Sequence, residues 1–271
     1  MKILLIDGNE KEASDGYKRL GMETQYEVYE KILIKNSKTV NNITTIHPAI
    51  HDEYLPVGIN LDDFDAAVWT GSLLNIYDYT RPINKQIDLA KELFKRKNKI
   101  FGSCWGLQVL VTAAGGKVRK NPNGLEAIIA KNIRLNDVGL SHPMYLNKKK
   151  LFNAFCWHYD EAEILPKDSK VLASNEKSQF QSISFNINQS KIWAVQYHPE
   201  FNPNWMAGLI NQRKKILLDN NVYRNEIELD KEIKILENFK NITNYNYKIY
   251  NDVLDSSYHS LELTNWLNYE T

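Results

Sequence analysis

Short apolar runs alternate with amphipathic stretches along the first part of the chain. The runs at 2–7, 42–48 and 64–72 are mostly apolar or β-branched, as buried strands are. The stretches 23–35 and 83–99 place apolar residues near helical spacing, and the second ends in basic residues that suit a helix C-terminus. Strands that alternate with helices of about 10–15 residues predict a parallel, wound sheet flanked by helices.

The pattern changes in the middle of the chain. Short strand-like runs separated by turns fill 118–195 and predict a small antiparallel patch attached to the sheet. The segment "KIWAVQYHPEF" (191–201) predicts a final strong strand, and the chain beyond it becomes helical and polar. We therefore expect an α/β domain over 1–203 with a wound, mostly parallel sheet, and a helical C-terminal extension over 204–271 packed on that domain.

Composition narrows the class of protein without changing this fold. The 271 residues are 43% hydrophobic and 25% charged, as in an ordinary globular protein. A formal net charge of +1 argues against a nucleic-acid or membrane partner, and no apolar run approaches the roughly 18 residues of a membrane helix. Two cysteines form neither a disulfide framework nor a metal-ligand pattern, so we expect reduced thiols in a cytoplasmic protein without metal or cofactor.

The stretch "FGSCWG" places Cys104 between Gly102 and Gly106, directly after an apolar run. A strand that turns sharply into a helix crowds the backbone around the residue at the turn, and flanking glycines relieve this crowding. A thiolate at the helix N-terminus would be stabilised by the helix dipole, with the backbone N–H of Trp105 near a developing oxyanion. The structural alternative is a buried cysteine beside a coincidental glycine spacing. The other cysteine, Cys156, is better explained as a core thiol.

The stretch "VQYHPEF" supplies a possible base for that thiol. His198 and Glu200 flank a proline at the end of the last predicted strand. In an extended segment residues two apart point the same way, so imidazole and carboxylate share one face. A carboxylate beside a histidine can hold its tautomer and stabilise the imidazolium. A His-Pro-Glu string alone is more often a turn, and it gains weight here from the cysteine.

Together, "GSCWGLQ" and "YHPE" resemble the class I (triad-type) glutamine amidotransferases, most of all stand-alone proteins similar to the glutaminase domain of GMP synthase. Two further segments follow in the family's order. "WTGSLLNIYD" (69–78) resembles its oxyanion strand, and "WHYDEAEILP" (157–166) resembles the segment that lines the glutamine pocket. The resemblance covers 65–202 well and implies a flavodoxin-like fold.

The resemblance implies a nucleophile, a base and an orienting acid. Cys104 would attack the γ-carboxamide of glutamine, ammonia would leave, and water would hydrolyse the γ-glutamyl thioester. His198 would take the thiol proton and later protonate the leaving group, while Glu200 would orient His198.

It also implies a substrate pocket, to which it assigns Gly71, Ser72, Trp105, Gln108, His158 and Asp160. Backbone N–H groups at Gly71–Ser72 and at Trp105 would hold the oxyanion, and Gln108 would help to hold the substrate. Tyr159 stands where the family often has a small residue, and "GSLL" lacks the proline common in the oxyanion strand. These departures leave the γ-glutamyl substrate open.

Three functions remain. The first is glutamine hydrolysis, with ammonia released or passed to a synthetase subunit, because the chain carries neither an "SGGxDS"-like nor a Walker-type loop. The second is a γ-glutamyl peptidase that applies the same chemistry to γ-glutamyl peptides or amides. The third is a non-catalytic regulatory module, which the fold alone does not exclude.

Overall fold

A mixed β-sheet forms the centre of the molecule in the computed structural model, which describes residues 1–37, 39–239 and 250–270. The strands are β1 (Lys2–Ile6), β2 (Asn42–Ile46), β3 (Ala66–Trp69), β4 (Lys99–Ser103), β5 (Lys117–Lys120), β6 (Glu126–Leu135), β7 (Leu151–His158), β8 (Asp160–Ile164), β9 (Lys170–Ser174), β10 (Ser182–Ile187) and β11 (Ser190–Val195). Nine of them form one sheet in the order β2-β1-β3-β4-β11-β10-β9-β6-β7, while β5 and β8 form a separate antiparallel pair.

The sheet is parallel on one side and antiparallel on the other. Strands β2, β1, β3, β4 and β11 run parallel to one another. From β11 onward, β10, β9, β6 and β7 are antiparallel neighbours. The expected α/β fold with a wound sheet and a small antiparallel sheet is confirmed. The antiparallel strands also extend the main sheet, which local patterns did not indicate.

Helices cover both faces of the parallel strands. They are α1 (Lys11–Arg19), α2 (Gln25–Asn36), α3 (Arg81–Leu93), α4 (Trp105–Ala113), α5 (Asp137–Ser141), α6 (Pro203–Gln212), α7 (Lys214–Asp219), α8 (Glu226–Glu237), α9 (Asn251–Leu254), α10 (Ser256–His259) and α11 (Leu261–Asn268). Local chemistry fixes several helix starts. Thr24 and Glu27 form a reciprocal capping box at α2, and Asn202 caps α6, whose first residue is proline.

The alternation of side chains along β1 shows why both faces need cover. Leu4 and Ile6 pack with residues of α3 and α4 in one core cluster. Ile3 and Leu5 belong to a second cluster on the opposite face, with residues of α2 and α11. All four side chains are fully buried. A strand with two buried faces appears in the sequence as a continuous apolar run, which explains the motif at 2–7.

The C-terminal helices are fastened to the sheet by buried cations. The Lys99 ammonium donates to the carbonyls of Trp266, Leu267 and Tyr269, at 2.8, 2.9 and 3.0 Å, at the end of α11. Lys148 and Glu262 form an ion pair at 3.0 Å with both side chains almost completely buried. The helical C-terminal extension is confirmed as part of the fold, and its boundary at 203 stays a prediction.

Two local expectations differ from the structure. The helix at 83–99 ends at Leu93, because Lys99 already begins β4. The short helix α1 was not expected, since its sequence is polar and contains Gly16. Within the described ranges, none of the helices combines the length and the apolar character needed to cross a bilayer.

Candidate active site

Cys104 lies at the turn between β4 and α4, where two parallel strands end side by side. Its backbone has φ +50° and ψ −105°, a conformation that non-glycine residues rarely adopt. The Cys104 N–H donates to the carbonyl of Val195, the last residue of the neighbouring strand β11, at 2.8 Å. Because β11 leads into His198, the two segments meet at the carboxyl edge of the sheet, where open α/β sheets form their sites.

The glycines around Cys104 permit close packing of α4 on the strands. A Cβ on Gly102 would stand 2.7 Å from the carbonyl carbon of Gly106. A Cβ on Gly106 would stand 2.8 Å from the Cβ and the carbonyl oxygen of Trp69 on β3. The strained φ is therefore at Cys104 itself, and the glycines let the helix begin against the sheet.

His198 is held by a carboxylate and by an aromatic ring. Its Nδ1 lies 2.6 Å from Glu200 Oε1, and both side chains are buried. The imidazole stacks on Phe201 with ring centroids 3.9 Å apart and planes 7° apart. The backbone N–H of His198 donates to the Phe155 carbonyl at 2.8 Å. With Nδ1 bound to Glu200, Nε2 is the ring nitrogen left to exchange a proton.

Glu200 is oriented in turn by two hydroxyl groups. The Ser103 hydroxyl donates to Glu200 Oε1 at 3.3 Å, and the Tyr29 hydroxyl donates to Ser103 Oγ at 2.6 Å. Burial and the nearby charge of Glu200 raise the pKa of Tyr29 well above its ordinary value, so the phenol remains a donor. Sequence reasoning did not identify Tyr29 or Ser103 as site residues.

The thiol of Cys104 rests in its neutral form. Burial, and then the negative charge of Glu200, raise the pKa of Cys104 far above its ordinary value, although a hydrogen bond from the Trp105 N–H lowers it. Cys104 Sγ lies 3.5 Å from the carbonyl oxygen of Trp157. The expected thiolate at a helix N-terminus is thus opposed by burial and by Glu200, and the sulfur needs a base during the reaction.

The oxyanion strand passes directly beside the imidazole. A Cβ on Gly71 would lie 2.7 Å from His198 Cε1, so only glycine fits without displacement. The Gly71 carbonyl accepts from Asn9 Nδ2 at 3.1 Å, which fixes the peptide that leads to Ser72. Ser72 lines the same cleft as Cys104 and His198.

This cleft is narrow in the absence of substrate. Its cavity volume is about 10 Å³, and it is lined by Tyr17, Gln25, Ser72, Leu73, Cys104, Trp157, His198, Phe201, Leu209 and Arg213. A groove of about 350 Å³ shares Tyr17, Ser72, Leu73 and Arg213 with it. Tyr17, Gln25 and Arg213 were not anticipated, because nothing in their local sequence marks them.

The remaining expected pocket residues have other partners. Gln108 is buried one helical turn after Cys104, and its N–H donates to the Cys104 carbonyl at 3.2 Å. His158 has one ring nitrogen 2.9 Å from the Asp160 carbonyl and the other 2.9 Å from Glu126 Oε2. The Tyr159 hydroxyl lies 3.4 Å from Asn220 Nδ2.

These contacts bind His158 and Tyr159 to neighbouring elements. Trp157, which sequence reasoning passed over, takes the position beside the sulfur. The Asp160 carboxylate accepts from the Tyr77 hydroxyl at 3.1 Å. Cys156 is fully buried in β7, among core residues.

A family model described as "Glutamine amidotransferase class-I" matches residues 26–214. The chain belongs to the class I glutamine amidotransferase family. A gamma-glutamyl-L-1-hydroxyisopropylamide hydrolase from Pseudomonas sp. is 28% identical to this class I amidotransferase chain, over 99% of the chain and 92% of the relative. A glutamine-hydrolysing GMP synthase from Caldicellulosiruptor saccharolyticus is 28% identical over 49% of the chain and 24% of the relative.

A glutamine amidotransferase structure from Thermotoga maritima is similar in fold, with a TM-score of 0.69 at 17% identity, covering 99% of each chain. The expected class I amidotransferase family, the flavodoxin-like fold and the GMP synthase likeness are therefore confirmed. The expectation of an enzyme is confirmed too, because these class I relatives are enzymes, one of them a hydrolase of a γ-glutamyl amide.

Proposed function

We propose that the chain hydrolyses the γ-amide bond of a γ-glutamyl compound, with Cys104 as nucleophile, His198 as base and Glu200 as the orienting acid. The observation that carries the proposal is the His198–Glu200 contact at 2.6 Å beside the cleft that Cys104 shares. The strained backbone of Cys104 supports it, because such strain persists where function requires it.

In the first half of the reaction, His198 Nε2 takes the thiol proton as sulfur attacks the γ-carbonyl carbon. Backbone N–H groups at Ser72 and Trp105 stabilise the oxyanion, and each such donor is worth about 3 kcal/mol of barrier. His198 then gives its proton to the amide nitrogen. The C–N bond breaks, the amine leaves, and a γ-glutamyl thioester remains on Cys104.

In the second half, water replaces the amine. His198 removes a proton from the water as its oxygen attacks the thioester carbon, and the same N–H groups hold the second oxyanion. The C–S bond breaks, sulfur recovers the proton from His198, and glutamate is released. Glu200 stabilises the imidazolium in both halves without itself accepting a proton.

An organic amine is the leaving group that we favour over ammonia. The relative that matches nearly the whole chain is a hydrolase of a γ-glutamyl alkylamide, whereas the GMP synthase match spans about half of the chain. The groove beside the cleft offers the volume that such an amine needs. The second candidate, supported by the GMP synthase likeness, is glutamine hydrolysis with ammonia passed to a synthetase subunit.

Steady-state turnover of glutamine and of a γ-glutamyl alkylamide tests both candidates. We expect kcat/KM to favour the alkylamide at least about tenfold, or about 1.4 kcal/mol of transition-state binding. The variant Cys104→Ala should lose turnover, while Cys156→Ala, a matched thiol deletion in the core, should retain it. A preference for glutamine selects the second candidate. Unchanged turnover in Cys104→Ala refutes the nucleophile, and an inactive wild type leaves a non-catalytic module.

A further inference from the structure

A cationic side chain stands at the mouth of the cleft. Arg213 follows α6 and lines both the cleft and the adjoining groove. Its guanidinium carbon lies 5.3 Å from the ring centroid of Trp157, whose carbonyl contacts the Cys104 sulfur. Within residues 1–37, 39–239 and 250–270, the Arg213 guanidinium forms no ion pair with a carboxylate. Its positive charge therefore has no anionic partner in the described part of the molecule.

A buried hydrogen-bond acceptor faces the same cleft. Gln25 is 5% exposed and donates through Nε2 to the Tyr17 hydroxyl at 3.3 Å. Its Oε1 atom is buried and accepts no hydrogen bond from any described residue. A Cβ on Gly71 would lie 2.7 Å from this oxygen, which places it at the oxyanion strand. A buried acceptor without a donor is unfavourable, so the site is built for a donor that arrives with a ligand.

The two features complement the two ends of an α-amino acid. A free α-carboxylate matches the planar guanidinium of arginine, which binds carboxylates through two parallel hydrogen bonds. An α-ammonium group has only donors and matches the amide oxygen of a glutamine. Both groups stand with Cys104 around one cleft, so a γ-carbonyl at the sulfur leaves the α-carbon end of the same molecule for them.

We propose that Arg213 binds the α-carboxylate and Gln25 Oε1 the α-ammonium of the γ-glutamyl substrate. This inference rests on the proposed hydrolysis and names its specificity residues. Because the cavity holds only about 10 Å³, the guanidinium must leave the Trp157 face when substrate enters, and the groove beside it gives the side chain room. The substrates are then γ-glutamyl compounds with an unmodified amino acid head, and the leaving amine contributes little to recognition.

The test removes the charge from the protein and the carboxylate from the ligand in turn. Arg213→Met keeps the length of the side chain, and we expect it to raise KM for a γ-glutamyl alkylamide about 100-fold with kcat nearly unchanged. An N-alkyl 4-aminobutanamide, which lacks the α-carboxylate, should be disfavoured to a similar degree by the wild type and not further by Arg213→Met. Lys214→Met, which deletes the neighbouring cation that pairs with Asp230, should leave both parameters unchanged.

A binding readout keeps this inference separate from turnover. Titration calorimetry with L-glutamate, the hydrolysis product, should show binding to Cys104→Ala and about 100-fold weaker binding to Cys104→Ala/Arg213→Met. Equal loss of kcat/KM for both amides, or unchanged glutamate affinity in the double variant, overturns the role of Arg213. A wild type that binds glutamate through Arg213 but hydrolyses no amide contradicts the proposed function and leaves the receptor intact.

Discussion

Replacing Glu200 by glutamine removes the negative charge beside His198 and keeps the size of the side chain. The contact between His198 Nδ1 and Glu200 Oε1 is 2.6 Å, and both side chains are at most 2% exposed. In the resting site the imidazole is neutral and loses mainly its orientation. During the reaction it becomes an imidazolium, and the variant then lacks the opposite charge.

The size of the effect follows from that distance. At an effective dielectric constant of about 20, opposite unit charges 2.6 Å apart attract by roughly 6 kcal/mol, equal to about 10⁴ in rate. The amide oxygen of glutamine still accepts a hydrogen bond, and Ser103 still anchors the side chain, so this value is an upper bound. We expect kcat/KM to fall about 10³-fold in Glu200→Gln.

The assay is continuous release of the amine from a γ-glutamyl alkylamide, with urea unfolding measured in parallel. Glu161→Gln is the control, because Glu161 is also a buried carboxylate but pairs with Arg119 on the separate β5–β8 sheet. We expect this control to retain its activity. A fall of less than tenfold in folded Glu200→Gln would show that the charge of Glu200 does not support His198, and the triad would have to be abandoned.

Two further predictions concern backbone packing and acid stability. Gly71→Ala puts a methyl group 2.7 Å from His198 Cε1, so kcat/KM should fall on the order of 100-fold; Gly16→Ala, which meets only side-chain ends at 3.7 Å or more, should not change activity, and equal rates for both variants would contradict this reasoning. Burial lowers the pKa of His259 from 6.5 to about 3, so the unfolded chain binds its proton first and stability falls as the pH drops below 6.5. Between pH 7 and 5, His259→Leu should lose about 2 kcal/mol less unfolding free energy than the wild type, and an equal loss in urea titrations would refute the buried neutral state.

The parts of the site that the sequence indicated are those encoded by neighbouring residues. Gly102 and Gly106 around Cys104 are needed because a helix begins against two strands, and this requirement appears within five consecutive residues. His198 and Glu200 lie two apart in an extended segment, so their shared face also follows from local geometry. The buried strand β1 was indicated by its apolar run.

The parts that the sequence did not indicate depend on long-range packing. The cleft walls include Tyr17, Gln25 and Arg213, which three helices bring together from distant positions. Helix α1 has few apolar residues because only Ser14 and Tyr17 face the protein, so it has little hydrophobic periodicity to detect. Local patterns likewise gave the antiparallel strands but not their pairing into the main sheet.

Direct detection of the acyl-enzyme tests the central claim, which is covalent catalysis by Cys104. Rapid mixing with a γ-glutamyl alkylamide, acid quenching and intact-mass analysis should show a mass increase equal to one γ-glutamyl group. Peptide mapping should place that group on Cys104, and it should form in Cys156→Ala but not in Cys104→Ala. Amine release at the full steady-state rate from Cys104→Ala, or an adduct carried by another residue, would contradict the account.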